Sequence, residues 1–196
     1  MYKKDPTEYV PHFIAVTIIL ALSSLFMPFI VLPLIQDTVF HSIPFWFFMA
    51  PVSSYFITGG LFLYAALIAG VMAYVQFHIG GKKLQKTAAI IVALLPFWIG
   101  GYLVIHQYVY FNDQGIYKNE FFSLDETEYT WDTVDEAVYY MYNDKGTMRV
   151  DSLELVYGDG SVLTFDYNRD ISSHRGAIQR TLQDNGVEIQ RIKKTE

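Results

Sequence analysis

The sequence predicts a membrane protein: three transmembrane α-helices followed by a small α+β soluble domain, an antiparallel sheet or partly open barrel with one C-terminal helix. Three observations predict it. Residues 13–36, 38–81 and 87–112 contain no Asp, Glu, Lys or Arg. Behind them the composition reverses: residues 113–196 hold 17 of the 20 acidic residues against 9 of the 14 basic ones, a net charge of −8. That acidic half alternates apolar and polar residues at strand period before it reaches a helical pattern.

The apolar stretches come first. A span needs about 20 apolar residues to cross roughly 30 Å of hydrocarbon, which sets spans at about 13–36, 52–78 and 87–108 in a membrane domain of residues 12–110. Pro28 and Pro33 lie in the second half of the first span. Lys3 and Lys4 resemble the basic start of a signal peptide, but the apolar run continues beyond Ala21 and is too long for one. The segment 43–51 sets Phe45, Trp46, Phe47 and Phe48 between Pro44 and Pro51, which reads as a short interfacial helix. One long helix kinked at Pro51 is the competing geometry. Ala66, Ala69, Gly70 and Ala73 give the second span small residues four apart, suited to packing within the chain or to self-association. Pro96 and Gly100-Gly101 predict a kink in the third.

Orientation follows from the short-loop lysines. The N-terminal tail, residues 1–11, carries Lys3 and Lys4; the first loop carries no lysine or arginine; "HIGGKKLQK" carries Lys82, Lys83 and Lys86. Basic short loops stay on the cytoplasmic side, so the N-terminus is expected inside and the domain of residues 111–196 outside the cytoplasm. The chain has no cysteine, which suits an oxidising compartment. No ionisable Asp, Glu, Lys or Arg falls within a span, which disfavours a coupled transporter or pump.

In the acidic half, residues 109–111, 115–122, 126–131 and 137–144 read as strands. "SLELVYGDGSVLTFDY" reads as a hairpin turning at Asp159-Gly160, expected as a type I′ turn, and "NDKG" as a second hairpin turn. Residues 170–186 read as one helix: Asp170 or Ser172 as cap, Ile171, His174, Ile178 and Leu182 at helical spacing, Asn185-Gly186 as stop. Residues 187–192 alternate again, as a last strand would.

The stretches "YTWDTVDEAV" and "LELVYGDGSVLTF", then the helix, resemble the pleckstrin-homology-like domains that bacterial membrane proteins often carry. The resemblance rests on element order over residues 108–192 and implies a curved sheet or barrel, with a helix against one opening, used for binding. In lipid-binding relatives a basic loop between the first two strands holds phosphates. Here that loop is Asn112-Asp113-Gln114-Gly115, without a cation, which argues against phosphoinositide-type recognition.

Catalytic signatures are missing. Asp125, Glu126, Glu128, Asp132, Asp135 and Glu136 lack the EF-hand pattern and read as a solvated acidic edge. Ser172, Ser173 and His174 adjoin without a nucleophile elbow, so His174 reads as a partly buried helix residue. Asp37, His41, His106 and Asp113 could meet near the outer membrane surface, but no spacing requires a metal there. Arg191, Lys193 and Lys194 read as a solvated tail rather than a nucleic-acid patch. No catalytic residue, cofactor or metal is assigned. The expectation is a non-enzymatic integral membrane protein with a protein partner — an accessory subunit, sensor or immunity-type factor — recognised through Asp135, Glu136, Tyr139, Tyr140 and Tyr142. The alternative is a membrane-surface enzyme or lipid-binding protein acting on an envelope substrate.

Overall fold

The computed structural model describes residues 9–78, 83–123 and 125–194. Lys3, Lys4 and Lys82, on which the orientation argument leans, lie outside them, as do the side chains of Lys83 and Lys86. The chain divides into two compact units: Met1–Ile43, Ala50–Tyr108 and Asn119–Asp125 in the first, and Pro44–Met49, Val109–Lys118 and Glu126–Glu196 in the second.

The first unit holds α1 (Val10–Phe26), α2 (Pro28–Phe40), α3 (Val52–His78) and α4 (Lys83–Ile105). The expectation of three transmembrane helices is overturned here. Among the described residues one helix is long and apolar enough to cross a membrane, at Val52–Val75, and 28% of its most apolar window is buried. The expected first span is two helices bent by 74°. Pro28 is the cause: it lacks the N–H that would continue α1, so it takes the first position of α2 instead. The expected third span opens with Lys83 and Lys86, and its apolar part, Ala89–Ile105, falls among shorter helices. At 1.5 Å per residue that part measures about 26 Å, short of the roughly 30 Å of hydrocarbon. With six α-helices and two four-stranded sheets among the described residues, the fold is α+β.

Within this unit α1 and α3 pack closely where side chains are small. A Cβ on Gly59 would meet the Ser24 carbonyl oxygen at 3.0 Å, and Gly70 faces Thr17. Ala66, Ala69 and Ala73 are buried. Gln36, 1% exposed, donates to the Ile105 and Gln107 carbonyls at 3.0 and 3.1 Å, closing the C-terminal end of α4. The Gln107 side chain in turn accepts from Ser54 at 2.9 Å and donates to Ser53 at 3.1 Å.

The second unit contains both sheets. One runs β1-β2-β3-β4, from β1 (Phe47–Met49), β2 (Tyr108–Phe111), β3 (Gly115–Asn119) and β4 (Thr127–Thr130). The interfacial helix expected at 43–51 is therefore a strand: Phe47 pairs with Phe111, Phe48 with Tyr110 and Met49 with Val109, antiparallel. Pairing with β2 satisfies the backbone of this short aromatic run, and alternation buries Phe47 in the core while Phe48 faces away. The domain boundary at residue 111 moves with it, since residues 44–49 belong to this unit.

The other sheet runs β7-β6-β5-β8, from β5 (Val134–Asp144), β6 (Thr147–Tyr157), β7 (Val162–Asp166) and β8 (Ile189–Lys193). The last strand pairs parallel to β5. The two hairpin turns exchange the expected chemistry. Lys145 and Gly146, both at positive φ, form the two-residue primed turn between Asp144 and Thr147. At the other hairpin only Gly160 has positive φ (+82°), while Gly160 N–H donates to Tyr157 C=O. That is a type I turn followed by a left-handed glycine, with one residue more in the loop.

The single helix expected over 170–186 is two, α5 (Arg169–Ser173) and α6 (Arg175–Asp184), broken at His174. Its cap is neither Asp170 nor Ser172 but Asn168, whose Oδ1 accepts from the N–H groups of Asp170 and Ile171. Ile171, Ile178 and Leu182 are fully buried against Trp131, Leu153, Leu155, Phe111 and Phe47 in one core.

Candidate functional site

The five residues predicted to carry partner recognition separate by strand geometry. On β5 the side chains alternate, so Ala137 and Tyr139 enter the core while Glu136, Val138, Tyr140 and Tyr142 follow one another on the other face, where Val138 is itself buried. Tyr139, 1% exposed, is thus removed from the predicted surface. Its ring lies edge-on to Tyr167 and under the Arg175 guanidinium at 5.7 Å, and burial pushes its hydroxyl pKa up. Asp135 is also set apart. The register slips between Val134 and Glu136, leaving Asp135 as the extra residue of a bulge beside Gly158.

Glu136, Tyr140 and Tyr142 do share a face. Tyr140 is half-buried and Tyr142 is 39% exposed. The cross-strand register adds Glu154 and Gln190 beside Val138, Ser152 and Ile192 beside Tyr140, and Arg149 beside Tyr142. Val162 and Ile192 are exposed apolar residues of the same sheet. The nearest cations are engaged: Arg149 pairs with Asp144 at 3.2 Å and Lys194 with Asp151 at 2.7 Å, which raises the Lys194 pKa. Glu136, Glu154 and Asp166 form no salt bridge among the described residues. The face presents tyrosine rings bordered by carboxylates, with Lys194 close enough to Tyr140 and Asp166 to feel their charge.

A second feature went unseen in the sequence. Pro44, Phe45 and Trp46, which lead into β1, and Asn112, Asp113 and Gln114, the β2–β3 loop, line an open cleft of about 380 Å³. It exists because β1 pairs with β2, which brings two segments far apart in sequence side by side. Trp46 is fixed from behind: it stacks on Trp131 (6.3 Å, 15°) and meets Phe111 edge-on. Trp131 is itself 1% exposed and donates its indole N–H to the Asn112 carbonyl at 2.9 Å. His174 completes the aromatic group, T-shaped on Phe47 at 5.1 Å, with Nδ1 2.9 Å from the Asp170 carbonyl. It is partly buried against the rings; its Nδ1 also lies 3.1 Å from the hydroxyl of Ser173, which itself donates to the Asp170 carbonyl at 2.8 Å.

The acidic run is more than a solvated edge. Glu128 accepts from the Tyr117 hydroxyl at 2.6 Å and Glu126 from the Tyr110 hydroxyl at 3.2 Å, the two tyrosine rings being stacked at 4.8 Å. The Glu128 bond, and then burial, raise the Tyr117 pKa. Tyr117 also reaches Gln114 at 3.4 Å, linking this pair to the rim of the cleft. No group of three or more His, Asp or Glu side chains is placed to hold a metal among the described residues. His106 lies tilted at 33° against Tyr102, 4.2 Å between ring centres, and meets Phe40 edge-on.

Comparison with protein-family models, with curated proteins and with solved structures finds no match to this chain.

Proposed function

We propose that this chain is a non-enzymatic binding protein of the cell membrane, whose sheet-bearing unit recognises a basic protein partner on the outer face of β5. An accessory subunit, a sensor or an immunity-type factor would use such a surface. The observation that carries the reading is the row Glu136, Tyr140 and Tyr142 on one face of β5, with Glu154 alongside. Tyrosine supplies apolar contact area with a polar tip. Glu136 and Glu154 beside it favour a partner of opposite charge, in a domain that is itself acidic. A pleckstrin-homology-like ancestry remains part of the proposal. Strands followed by a helix favour it, while β1 and the parallel β8 are additions to that pattern.

The test is purification of the full chain in mild detergent. The wild type should retain a stoichiometric basic protein that leaves at high salt. Glu136→Ala with Tyr140→Ala should release it while the near-ultraviolet spectrum of the fold persists. Undiminished capture by that folded variant, or co-purification of lipid with no protein, would overturn the reading.

Placement in the membrane is supported by the Val52–Val75 helix and by the large apolar side chains that the helical unit leaves exposed, Phe56 (78%) and Trp98 (68%) among them. A single crossing by Val52–Val75 puts Thr38 and Asn168 on opposite sides. Single cysteines test it: an impermeant thiol reagent on intact cells should label one of Thr38→Cys and Asn168→Cys and spare the other. Labelling of both overturns the crossing.

A further inference from the structure

The cleft between the Pro44–Trp46 segment and the β2–β3 loop is independent of the β5 face and has a chemistry of its own. Two of its walls are the rings of Phe45 and Trp46, and its one charged lining residue is Asp113. No lysine, arginine or histidine lines it. Backbone donors of the loop are engaged within it: the N–H groups of Gln114 and Gly115 both point at Asn112 Oδ1, each at 2.9 Å, and that of Asn112 at the Gly115 carbonyl at 3.0 Å. An anion would therefore find no cation in the lining. The Asp113 carboxylate is exposed at the rim, and the Glu128 carboxylate stands behind Tyr117, whose hydroxyl reaches Gln114.

Aromatic faces attract cations through their quadrupole, most strongly the indole of tryptophan. Trp46 is held in place by Trp131 and Phe111, so its ring does not have to be ordered when a ligand arrives. The volume, about 380 Å³, suits a small organic ion. We propose that this cleft binds a quaternary ammonium group, with Phe45 and Trp46 as its aromatic walls and Asp113 as its counter-charge. The chemistry is shared by free choline-type cations and by the choline end of a phosphodiester headgroup.

The experiment titrates the full chain in a non-zwitterionic detergent with choline chloride, followed by calorimetry and tryptophan fluorescence. The control is 3,3-dimethylbutan-1-ol, which has the same shape and no charge. Choline should bind saturably, and the neutral analogue about fivefold more weakly or worse. Asp113→Asn, a change at an exposed loop position, should weaken choline about threefold and leave the neutral analogue unchanged. Phe45→Leu should weaken choline while the fold, judged by its circular dichroism, persists. Glycerophosphocholine then separates the sources: binding as tight as choline assigns a headgroup, and weaker binding assigns the free cation. Equal affinity for choline and its neutral analogue, a choline affinity untouched by Asp113→Asn, or no saturation by about 10 mM overturns the proposal.

Discussion

The two units use the same apolar side chains in opposite ways. In the sheet-bearing unit Phe111, Ile116, Leu153, Leu155, Ile178 and Leu182 are wholly enclosed. In the helical unit Ile19, Leu22, Leu25, Phe29, Leu67 and Trp98 point outward, and buried positions go to small residues such as Ala66, Ala69 and Ala73. The sheet-bearing unit puts its largest side chains inside, where each Å² of apolar area removed from water contributes about 25 cal/mol. The helical unit brings α1 and α3 together through glycine and alanine, and leaves many of its large side chains outside. The contrast is one of packing, and residue type alone does not reveal it.

Substitutions should therefore have unequal consequences in the two units. The largest difference is expected between Leu153→Ala and Trp98→Ala. The first opens a cavity in the shared core of both sheets and should cost about 2–5 kcal/mol in chemical denaturation of the full chain. The second removes a larger side chain but one already 68% exposed, and should change stability by less than about 0.5 kcal/mol. Comparable losses from both would mean that the helical unit encloses Trp98 and that the contrast is false.

A smaller effect sharpens the account of the second unit. Gly160 sits at φ +82° with open space around it. Gly160→Val meets no neighbour and acts through backbone conformation alone, at about 1–2 kcal/mol. An unchanged denaturation midpoint would show that this turn relaxes without cost. The same substitution logic places Gly59 in the other category, since there a Cβ meets a helix carbonyl.

The smallest effect is a gain. The Tyr157 hydroxyl is buried and has no hydrogen-bond partner among the described residues, and burial pushes its pKa well up. Tyr157→Phe should stabilise the unit by up to about 1 kcal/mol by removing that unmet hydroxyl. The pH dependence has a definite sign. A phenol whose folded pKa is raised contributes stability that is present below the usual value near 10, and that is lost as the pH climbs through the raised value. The variant should lose stability less steeply above about pH 10. An identical alkaline slope would mean that Tyr157 ionises freely in the fold.

Local chemistry was legible in the sequence wherever it acts over a few residues. Glycine at 146 and 160, the β5–β6 and β6–β7 hairpins, Ile178 and Leu182 on one helix face and the position of the last strand all follow from neighbours in the chain. So did the shared face of Glu136, Tyr140 and Tyr142, since strand alternation needs no tertiary knowledge. Tyr139 belonged on the opposite side by the same rule, and only the core it enters decides that the side is closed. Reading residues 13–36 as one span failed because hydropathy counts Pro28 as one residue among many, while hydrogen bonding makes it the start of a new helix.

Composition by itself determined that one half of the chain is uncharged over long runs and the other acidic. Only the tertiary structure decided that the aromatic run at Phe45–Phe48 joins the acidic half as a strand. Pairing Phe47 with Phe111 is a non-local choice: its gain comes from burying both rings in a core assembled from distant segments, and no local propensity encodes it. The cleft with Trp46 and Asp113 on its walls is the product of that single pairing, which is why neither residue stood out until the sheet was formed.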